Sequence, residues 1–329
     1  MKLRNLTKRK VVFFMEFKFR TDLAIETREA YKKAKNIDIP GVDVENDTKD
    51  DVKITRVKVL TDEGASEIGK PIGNYITLEI PKIGDDEEEN EKIYKVLAKE
   101  LKAIIGNNKN ESALVVGLGN SNVTPDALGP KVISYLEVTR HIIEFAPEYL
   151  SRPVRAVSAI SPGVLGTTGI ETSEIIKGVI DRVKPDLVIA IDALASRKLE
   201  RISTTIQIAD TGINPGSGVG NKRSPLSKET LGVPVIAIGV PTVVDAATMA
   251  NDTIELMLEN IQKMGSQIGV NYDKISEMKQ EEKYSMIKEV LTPYVGDLVV
   301  TPKEIDAIIT NVSEVVAHGI NYALHSDDI

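Results

Sequence analysis

The feature that most constrains the fold of this 329-residue chain is an alternation of short apolar runs with helical segments in its second half. The runs are rich in β-branched residues; they are Ala113–Val116, Leu187–Ile191 and Val235–Gly239. Runs of this length and type are typical of strands buried on both faces, as in a parallel sheet. The alternation therefore predicts an α/β protein, a three-layer sandwich with a mostly parallel twisted sheet.

The N-terminal half predicts a small antiparallel β extension of that sheet. Val52–Leu60 alternates apolar and charged residues, as a half-exposed strand does, and Asn74–Ile80 predicts a second strand with only turns between the two. Residues 52–80 are thus expected to form a small β subdomain, after a polar loop over Pro40–Asp51. Residues 265–283 are polar and weakly periodic, which indicates a surface excursion. Helices are predicted over Thr21–Lys35, Glu87–Ile105, Glu171–Val183, Asp245–Lys263 and Pro302–Leu324.

Composition and charge exclude several kinds of site. A net charge of −8 argues against a general nucleic-acid surface, which needs a basic face. The absence of cysteine excludes disulfides, thiolate nucleophiles and thiolate metal sites, and it fits a reducing cytoplasm. No run approaches the ~18 apolar residues of a membrane span. A cytoplasmic protein that binds neither nucleic acid nor membrane is therefore expected.

A candidate acidic residue follows the first of the buried strands. Gly117 and Gly119 allow a tight turn after Val116, and Thr124-Pro125 has the residues of a helix start, with Thr124 as the cap. Asp126 would then lie in the first helical turn, where the helix dipole favours a carboxylate. This arrangement predicts an ionised acid at the carboxyl edge of the sheet, where doubly wound folds bind ligands.

A second acid, Asp192, follows the strand Leu187–Ile191 directly. If the two strands are parallel neighbours, Asp126 and Asp192 face the same crevice and can divide the roles of general acid and general base. The alternative is that each acid only caps a helix or a loop. The pair together favours a site, and the residues alone indicate an α/β protein with an acidic crevice and hydrolytic chemistry.

The glycine-rich segment from Asn214 to Lys222 lacks the spacing of a phosphate-binding loop. It is interpreted either as a flexible loop or as a lid whose backbone N–H groups and cations contact an extended substrate. The glycines at 117 and 119 lack the third glycine of a dinucleotide fingerprint. The lid residues of the second interpretation are Gly216, Gly218, Gly220, Lys222 and Arg223.

Other catalytic signatures are missing from the sequence. None of the three histidines has metal-ligand spacing such as H-E-x-x-H, and the G-x-S-x-G elbow of serine hydrolases does not occur. The histidines are interpreted as packing or surface residues. No metal site and no cofactor are predicted.

Seven segments of the chain stand out as motifs: RTDLAIE (20–26), LVVGLGNSNVTPDALGP (114–130), SPGVLGTTGIETSEIIKGV (161–179), AIDALASR (190–197), GINPGSGVGNKR (212–223), GVPVIAIGVPTVVDA (232–246) and TPKEID (301–306). Together and in this order they resemble the germination proteases of endospore-forming bacteria. The resemblance runs from about Arg20 to His325.

The resemblance implies an endopeptidase that begins the degradation of small acid-soluble spore proteins during germination, in the spore cytoplasm. It implies a phosphorylase/hydrolase-like core similar to that of hydrogenase-maturation peptidases, and a homotetramer. Asp126 and Asp192 match the aspartates proposed as the catalytic pair of an atypical aspartic-type mechanism. Two alternatives stay open: a metal-assisted peptidase in which the same aspartates are ligands, and a non-catalytic scaffold that binds acidic peptides through Lys222 and Arg223.

The family's proteins are made as self-processing zymogens, and the resemblance implies the same here. Thr21–Glu26 is similar to the substrate motif, an acidic residue followed by an apolar residue, alanine and, after one more residue, glutamate. Cleavage is therefore expected between Asp22 and Leu23. Residues 1–22 would be a propeptide and residues 23–329 a single peptidase domain.

Overall fold

The computed structural model describes residues 21–35, 38–81, 83–84, 86–106, 108, 110–150, 154–216, 223–263, 286–287, 289 and 298–326. The helices of this part are α1 (Ala24–Lys35), α2 (Asp62–Ile68), α3 (Glu87–Ile105), α4 (Leu128–Ser134), α5 (Arg140–Phe145), α6 (Leu165–Thr168), α7 (Thr172–Val183), α8 (Lys228–Leu231), α9 (Ala246–Lys263) and α10 (Ile305–His325). The strands are β1 (Val42–Lys49), β2 (Val52–Val59), β3 (Gly73–Glu79), β4 (Ala113–Gly117), β5 (Val157–Ile160), β6 (Leu187–Ser196), β7 (Thr205–Ala209), β8 (Val235–Asp245) and β9 (Val299–Val300).

The strands form one mixed sheet in the order β1-β2-β3-β7-β8-β6-β4-β5, and β9 pairs with the end of β8. The four strands β8, β6, β4 and β5 are parallel to one another and form the core of the sheet. Four neighbouring pairs are antiparallel: β1 with β2, β2 with β3, β3 with β7, and β7 with β8. The predicted antiparallel extension is thus confirmed, and it is continuous with a sheet that is parallel only in its core.

Helices cover both faces of the sheet, which confirms the three-layer sandwich. On one face α3, α4 and α10 bury the odd-numbered apolar residues of β4 and β6, among them Val115 and Ile189. On the other face α7 and α8 pack on the even-numbered ones, such as Val116 and Val188. Alternation of side chains along each strand supplies both faces. The parallel strands therefore need apolar residues at every position, as the sequence has.

Helix α3 matches its prediction because its ends are well marked. The side chain of Asp86 accepts the N–H groups of Glu88 and Glu89 at 3.0 and 3.2 Å, and Gly106 ends the helix. Leu97 of α3 then packs directly on Gly319 of α10, where an added Cβ would lie 2.6 Å from Leu97 Cδ2. This close approach fixes the two longest helices on one face.

Several boundaries differ from the predictions. The loop predicted over Pro40–Asp51 contains β1. This strand lies exposed at the edge of the sheet, and hydrogen bonds to β2 hold it there rather than burial. The turn predicted after β2 is the helix α2, in which Thr61 Oγ1 caps the N–H of Gly64. Strands β6 and β8 continue to Ser196 and Asp245, because their pairing persists past the apolar runs.

Some predictions lie outside the described residues: most of the expected propeptide, the excursion at 265–283, and Gly218, Gly220 and Lys222. The division of the chain into domains stays a prediction. No helix in the described ranges has the length and apolar character needed to cross a bilayer.

Candidate active site

The two predicted acids are brought to one edge of the sheet by adjacent parallel strands. Gly117 at the end of β4 is in register with Ile191 of β6, and the N–H of Leu118 donates to the carbonyl of Ile191 at 2.8 Å. Asp192 is the next residue of β6, and Asp126 lies in the loop that follows β4. The expectation that the two strands are parallel neighbours is confirmed.

Asp126 is positioned by a short turn rather than by a long helix. Residues Thr124–Asp126 form one turn of 3-10 helix, and α4 begins only at Leu128. The prediction that Thr124 caps the helix is wrong, because Val123 occupies the capping position. The carboxylate instead accepts the N–H of Asn120 at 2.8 Å. Burial raises the pKa of Asp126 although this hydrogen bond opposes the shift.

Asp192 lies inside β6, not after it as predicted, and the residue is only 5% exposed. Its Oδ1 accepts the N–H of Ala193 at 3.0 Å. Burial raises the pKa of Asp192 well above its ordinary value, and the negative charges of Asp126 and Asp22 raise it further. The two carboxylates thus differ in environment, and Asp192 keeps its proton to a higher pH than Asp126.

The raised pKa predicts that the stability contributed by Asp192 depends on pH. Its protonated form stabilises the folded state fully below the unfolded pKa of about 3.9, and this contribution is lost as pH rises through the folded pKa. Asp192→Asn cannot ionise. Between the unfolded and the folded pKa of Asp192, we therefore expect its free energy of unfolding to rise relative to that of the wild type, by about 1.4 kcal/mol for each unit by which the two pKa values differ.

Urea unfolding at a series of pH values measures this difference, with the mass of each sample checked first. Asp181→Asn, at an exposed position of α7, is the control for the loss of one carboxylate. A stability difference between Asp192→Asn and the wild type that does not change with pH would contradict the prediction.

A third carboxylate, that of Asp22, lies beside this pair. The N–H of Asp22 donates to the carbonyl of Ala195 at 3.1 Å, and its Oδ2 accepts the N–H of Ala195 at 3.0 Å. Ala195 is three residues beyond Asp192, where the pairing of β6 with β8 shifts register after Leu194. Register shifts of this type bend a strand and occur next to functional sites. The chain before α1 thus pairs with β6 close to the candidate acids.

The residues after Asp22 are buried in the fold. Leu23 is fully buried and belongs to a small cluster with Ile25 and Leu194. Ala24 is fully buried too, and its N–H donates to Gln207 Oε1 at 2.8 Å. An apolar residue and a small residue therefore fill closed spaces directly after the acidic one.

Glu26 is held by a dedicated set of donors. Its side chain is buried and accepts the N–H groups of Arg197 and Lys198 at 2.7 and 3.1 Å. Arg201, also buried, pairs with it at 3.4 Å, and the hydroxyl of Thr21 donates to the same carboxylate. Buried carboxylates need such paired and hydrogen-bonded surroundings. The loop after β6 thus forms a glutamate pocket.

Only part of the predicted lid is described. Gly216 and Arg223 lie on the two sides of the gap, and Arg223 pairs with Glu171 at 3.5 Å. Ile213 and Leu226 join the two arms through a pair of backbone hydrogen bonds of 2.9 and 2.8 Å. The assignment of this loop to substrate binding stays a prediction.

Sequence reasoning missed Lys70, Gln207 and Arg201, which surround the segment from Thr21 to Glu26. Gln207 carried a usable signal, since it is a polar residue in the middle of an apolar strand. Lys70 follows the short helix α2, and Arg201 ends the 3-10 turn Leu199–Arg201. Neither element was predicted, so nothing in the local pattern set these two residues apart. In the part of the chain that the structure describes, no three histidine, aspartate or glutamate side chains are grouped so as to hold a metal ion.

The comparisons with known proteins first give the class. A family model described as germination protease matches residues 20–269 and 272–328. An α/β sandwich with paired carboxylates at the edge of its parallel strands, matched almost throughout by a peptidase family, defines the chain as a peptidase. The chain belongs to the germination protease family.

Individual relatives agree with this assignment. The germination protease of Caldanaerobacter subterraneus subsp. tengcongensis is 57% identical over 306 residues, which is 93% of this chain and 94% of the relative. That of Bacillus subtilis is 47% identical over an alignment 347 positions long, which covers 94% of each chain. Among solved structures, the [NiFe] hydrogenase maturation protease HycI from Thermococcus kodakarensis matches 44% of this chain and 80% of its own, with 24% identity and a TM-score of 0.29.

Proposed function

We propose that this protein is an endopeptidase that cleaves its own chain between Asp22 and Leu23 and then cuts small acid-soluble spore proteins at the same pattern. The observation that carries the proposal is the docking of Thr21–Glu26 against β6, the strand that carries Asp192. A self-processing enzyme needs its own cleavage motif seated beside its catalytic groups.

The contacts of this segment account for each position of the motif. The Oδ2 of the acidic residue accepts the N–H of Ala195, the apolar residue packs in the cluster with Leu194, and the alanine is fully buried. The final glutamate enters the pocket formed by the loop after β6. Asp22 pairs with the backbone of β6 as an added strand would, and Ala24–Glu26 form the first turn of α1.

The proposed chemistry divides the roles of the two aspartates by their pKa values. Asp126, the more readily ionised, takes a proton from water while the water oxygen attacks the carbonyl carbon of Asp22. Asp192, which keeps its proton, donates it to the nitrogen of Leu23 as the C–N bond breaks. The products are a carboxylic acid on Asp22 and an amine on Leu23, and a proton passing from Asp126 to Asp192 restores the pair.

The wider proposal follows the family. The chain would be a zymogen that acts in the spore cytoplasm, assemble as a homotetramer, and need neither metal nor cofactor. Its substrates would be proteins with the motif T-[DE]-[LIF]-A-x-E. The similarity of the chain to germination proteases over more than nine tenths of its length supports this transfer.

Incubation of the purified full-length chain tests the proposal. We expect mass spectrometry to find a new amino terminus at Leu23, and hydrolysis of an added peptide with the motif to begin as processing proceeds. A matched peptide with glutamine in place of the final glutamate should be cut at least tenfold more slowly, because the pocket around Glu26 is lined by donors for a carboxylate.

Other outcomes would overturn the proposal. Binding of the peptide without any product would make the protein a scaffold. Activity that is lost on chelation and restored by a divalent metal would assign the aspartates as metal ligands.

A further inference from the structure

The carbonyl oxygen of Asp22 accepts hydrogen bonds from two side chains. Lys70 Nζ donates to it at 2.7 Å and Gln207 Nε2 at 3.3 Å. This oxygen belongs to the peptide bond between Asp22 and Leu23. The two donors therefore polarise the carbonyl that the proposed cleavage would attack.

Each donor is held in place by its own element. Gly69 ends α2 in the left-handed conformation, with φ of +66°, and Lys70 follows directly. Gln207 lies in β7 between β3 and β8, and its Oε1 accepts the N–H of Ala24 at 2.8 Å. Since Oε1 is used in this way, Nε2 must face Asp22. The side-chain amide of Gln207 thus bridges the carbonyl of Asp22 and the N–H of Ala24, on the two sides of Leu23.

The surroundings suit a group that stabilises negative charge. Asp22, Lys70 and Gln207 line a cavity of about 500 Å³, which gives the carbonyl room to become tetrahedral. Burial lowers the pKa of the Lys70 ammonium, and the negative charge of Asp22 acts in the opposite direction. An ammonium held in a partly desolvated site interacts with a developing oxyanion more strongly than it would in water.

We propose that Lys70 and Gln207 form the oxyanion site of this peptidase, with Lys70 as a catalytic residue that stabilises the charge on the Asp22 carbonyl oxygen. When water attacks, the electrons of the C=O bond move onto that oxygen, and they return when the C–N bond breaks. The inference rests on the proposed cleavage between Asp22 and Leu23. It adds to the aspartate pair a cation, Lys70, that stabilises the negative charge of the transition state.

Self-cleavage of the full-length chain is the assay, followed as a first-order rate by mass spectrometry. We expect Lys70→Met to be slower than wild type by about 10²–10³, the loss typical for one oxyanion donor, and Lys70→Arg to recover at least tenfold of it. Lys58→Met, at an exposed position of β2, is the matched control and should keep the wild-type rate within twofold.

A second measurement distinguishes a catalytic role of Lys70 from a role in holding the N-terminal segment in its docked position. Hydrogen exchange of the peptide that contains residues 21–31 reports whether the segment stays docked, with uncleaved Asp192→Asn as the docked reference. We expect Lys70→Met to keep this protection while its cleavage is lost. Loss of protection in parallel with cleavage would show that Lys70 only fastens the segment, and the inference would fail.

The two levels of the proposal fail in different ways. If the wild type yields no terminus at Leu23, the proposed function itself is wrong. If the wild type is processed there and Lys70→Met is processed within threefold of its rate, only the oxyanion site is wrong.

Discussion

Asp126→Asn and Asp192→Asn are each expected to stop self-cleavage while leaving the chain folded. An amide cannot take a proton from water as Asp126 would, and it cannot donate one to the leaving nitrogen as Asp192 would. A general acid or base contributes about 10²–10⁴-fold, so each single change should slow processing by about 10²–10⁴. The rate of appearance of the Leu23 terminus measures the effect.

The double variant gives a sharper result. Because the two groups act as one unit, removing both should slow the reaction little more than removing the more important one. Asp181→Asn, an exposed acid of α7, controls for the loss of one negative charge. Processing within tenfold of the wild type in either single variant would exclude the aspartate pair as the catalytic groups.

Gly119→Ala is expected to have the second large effect, on stability and on cleavage together. Gly119 has φ of +110°, and an added Cβ would lie 2.0 Å from the carbonyl oxygen of Asp126 and 3.2 Å from its Oδ1. The backbone around Asp126 must move to relieve this overlap. We expect the free energy of unfolding to fall by about 3 kcal/mol and self-cleavage to slow about 100-fold, since a shift of about 1 Å can cost that much.

Gly178→Ala provides the matched control for this change. Gly178 lies in the exposed part of α7, where an added Cβ meets nothing within 4 Å, so alanine should raise the free energy of unfolding by about 0.5–1 kcal/mol. Denaturant unfolding and the processing assay compare the two variants. A Gly119→Ala protein as stable and as active as Gly178→Ala would show that the turn does not fix Asp126.

The pairing of the two acids could be predicted because parallel strands carry a strong local signal. Leu187–Ile191 is apolar throughout, and it is followed by an acidic residue, Asp192, that the pattern of a buried strand does not explain. Asp192 also led to a wrong prediction of where β6 ends. The strand continues through Asp192 because its backbone stays paired with β8. Local pattern thus located the acid but could not show that it lies inside the sheet.

The remainder of the site depends on contacts that no local pattern encodes. Lys70 is 48 residues away from Asp22 in sequence. It reaches Asp22 because α2, which connects β2 to β3, lies next to the N-terminal segment. Gln207 reaches it across 185 residues through the pairing of β7 with β3 and β8. Residue type alone could mark Gln207 as unusual, but only the sheet order places it at the peptide bond.

Under the proposed function, the burial of Leu23 and Ala24 in the core has a consequence for the kinetics of cleavage. The first peptide bond to be cut is then supplied by the fold itself, at an effective concentration that dilution of the protein does not change. An external peptide meets a cleft that is already filled, and it gains access only at the rate at which this segment leaves. Self-cleavage should accordingly be of first order in protein, whereas cleavage of other proteins should begin after a lag.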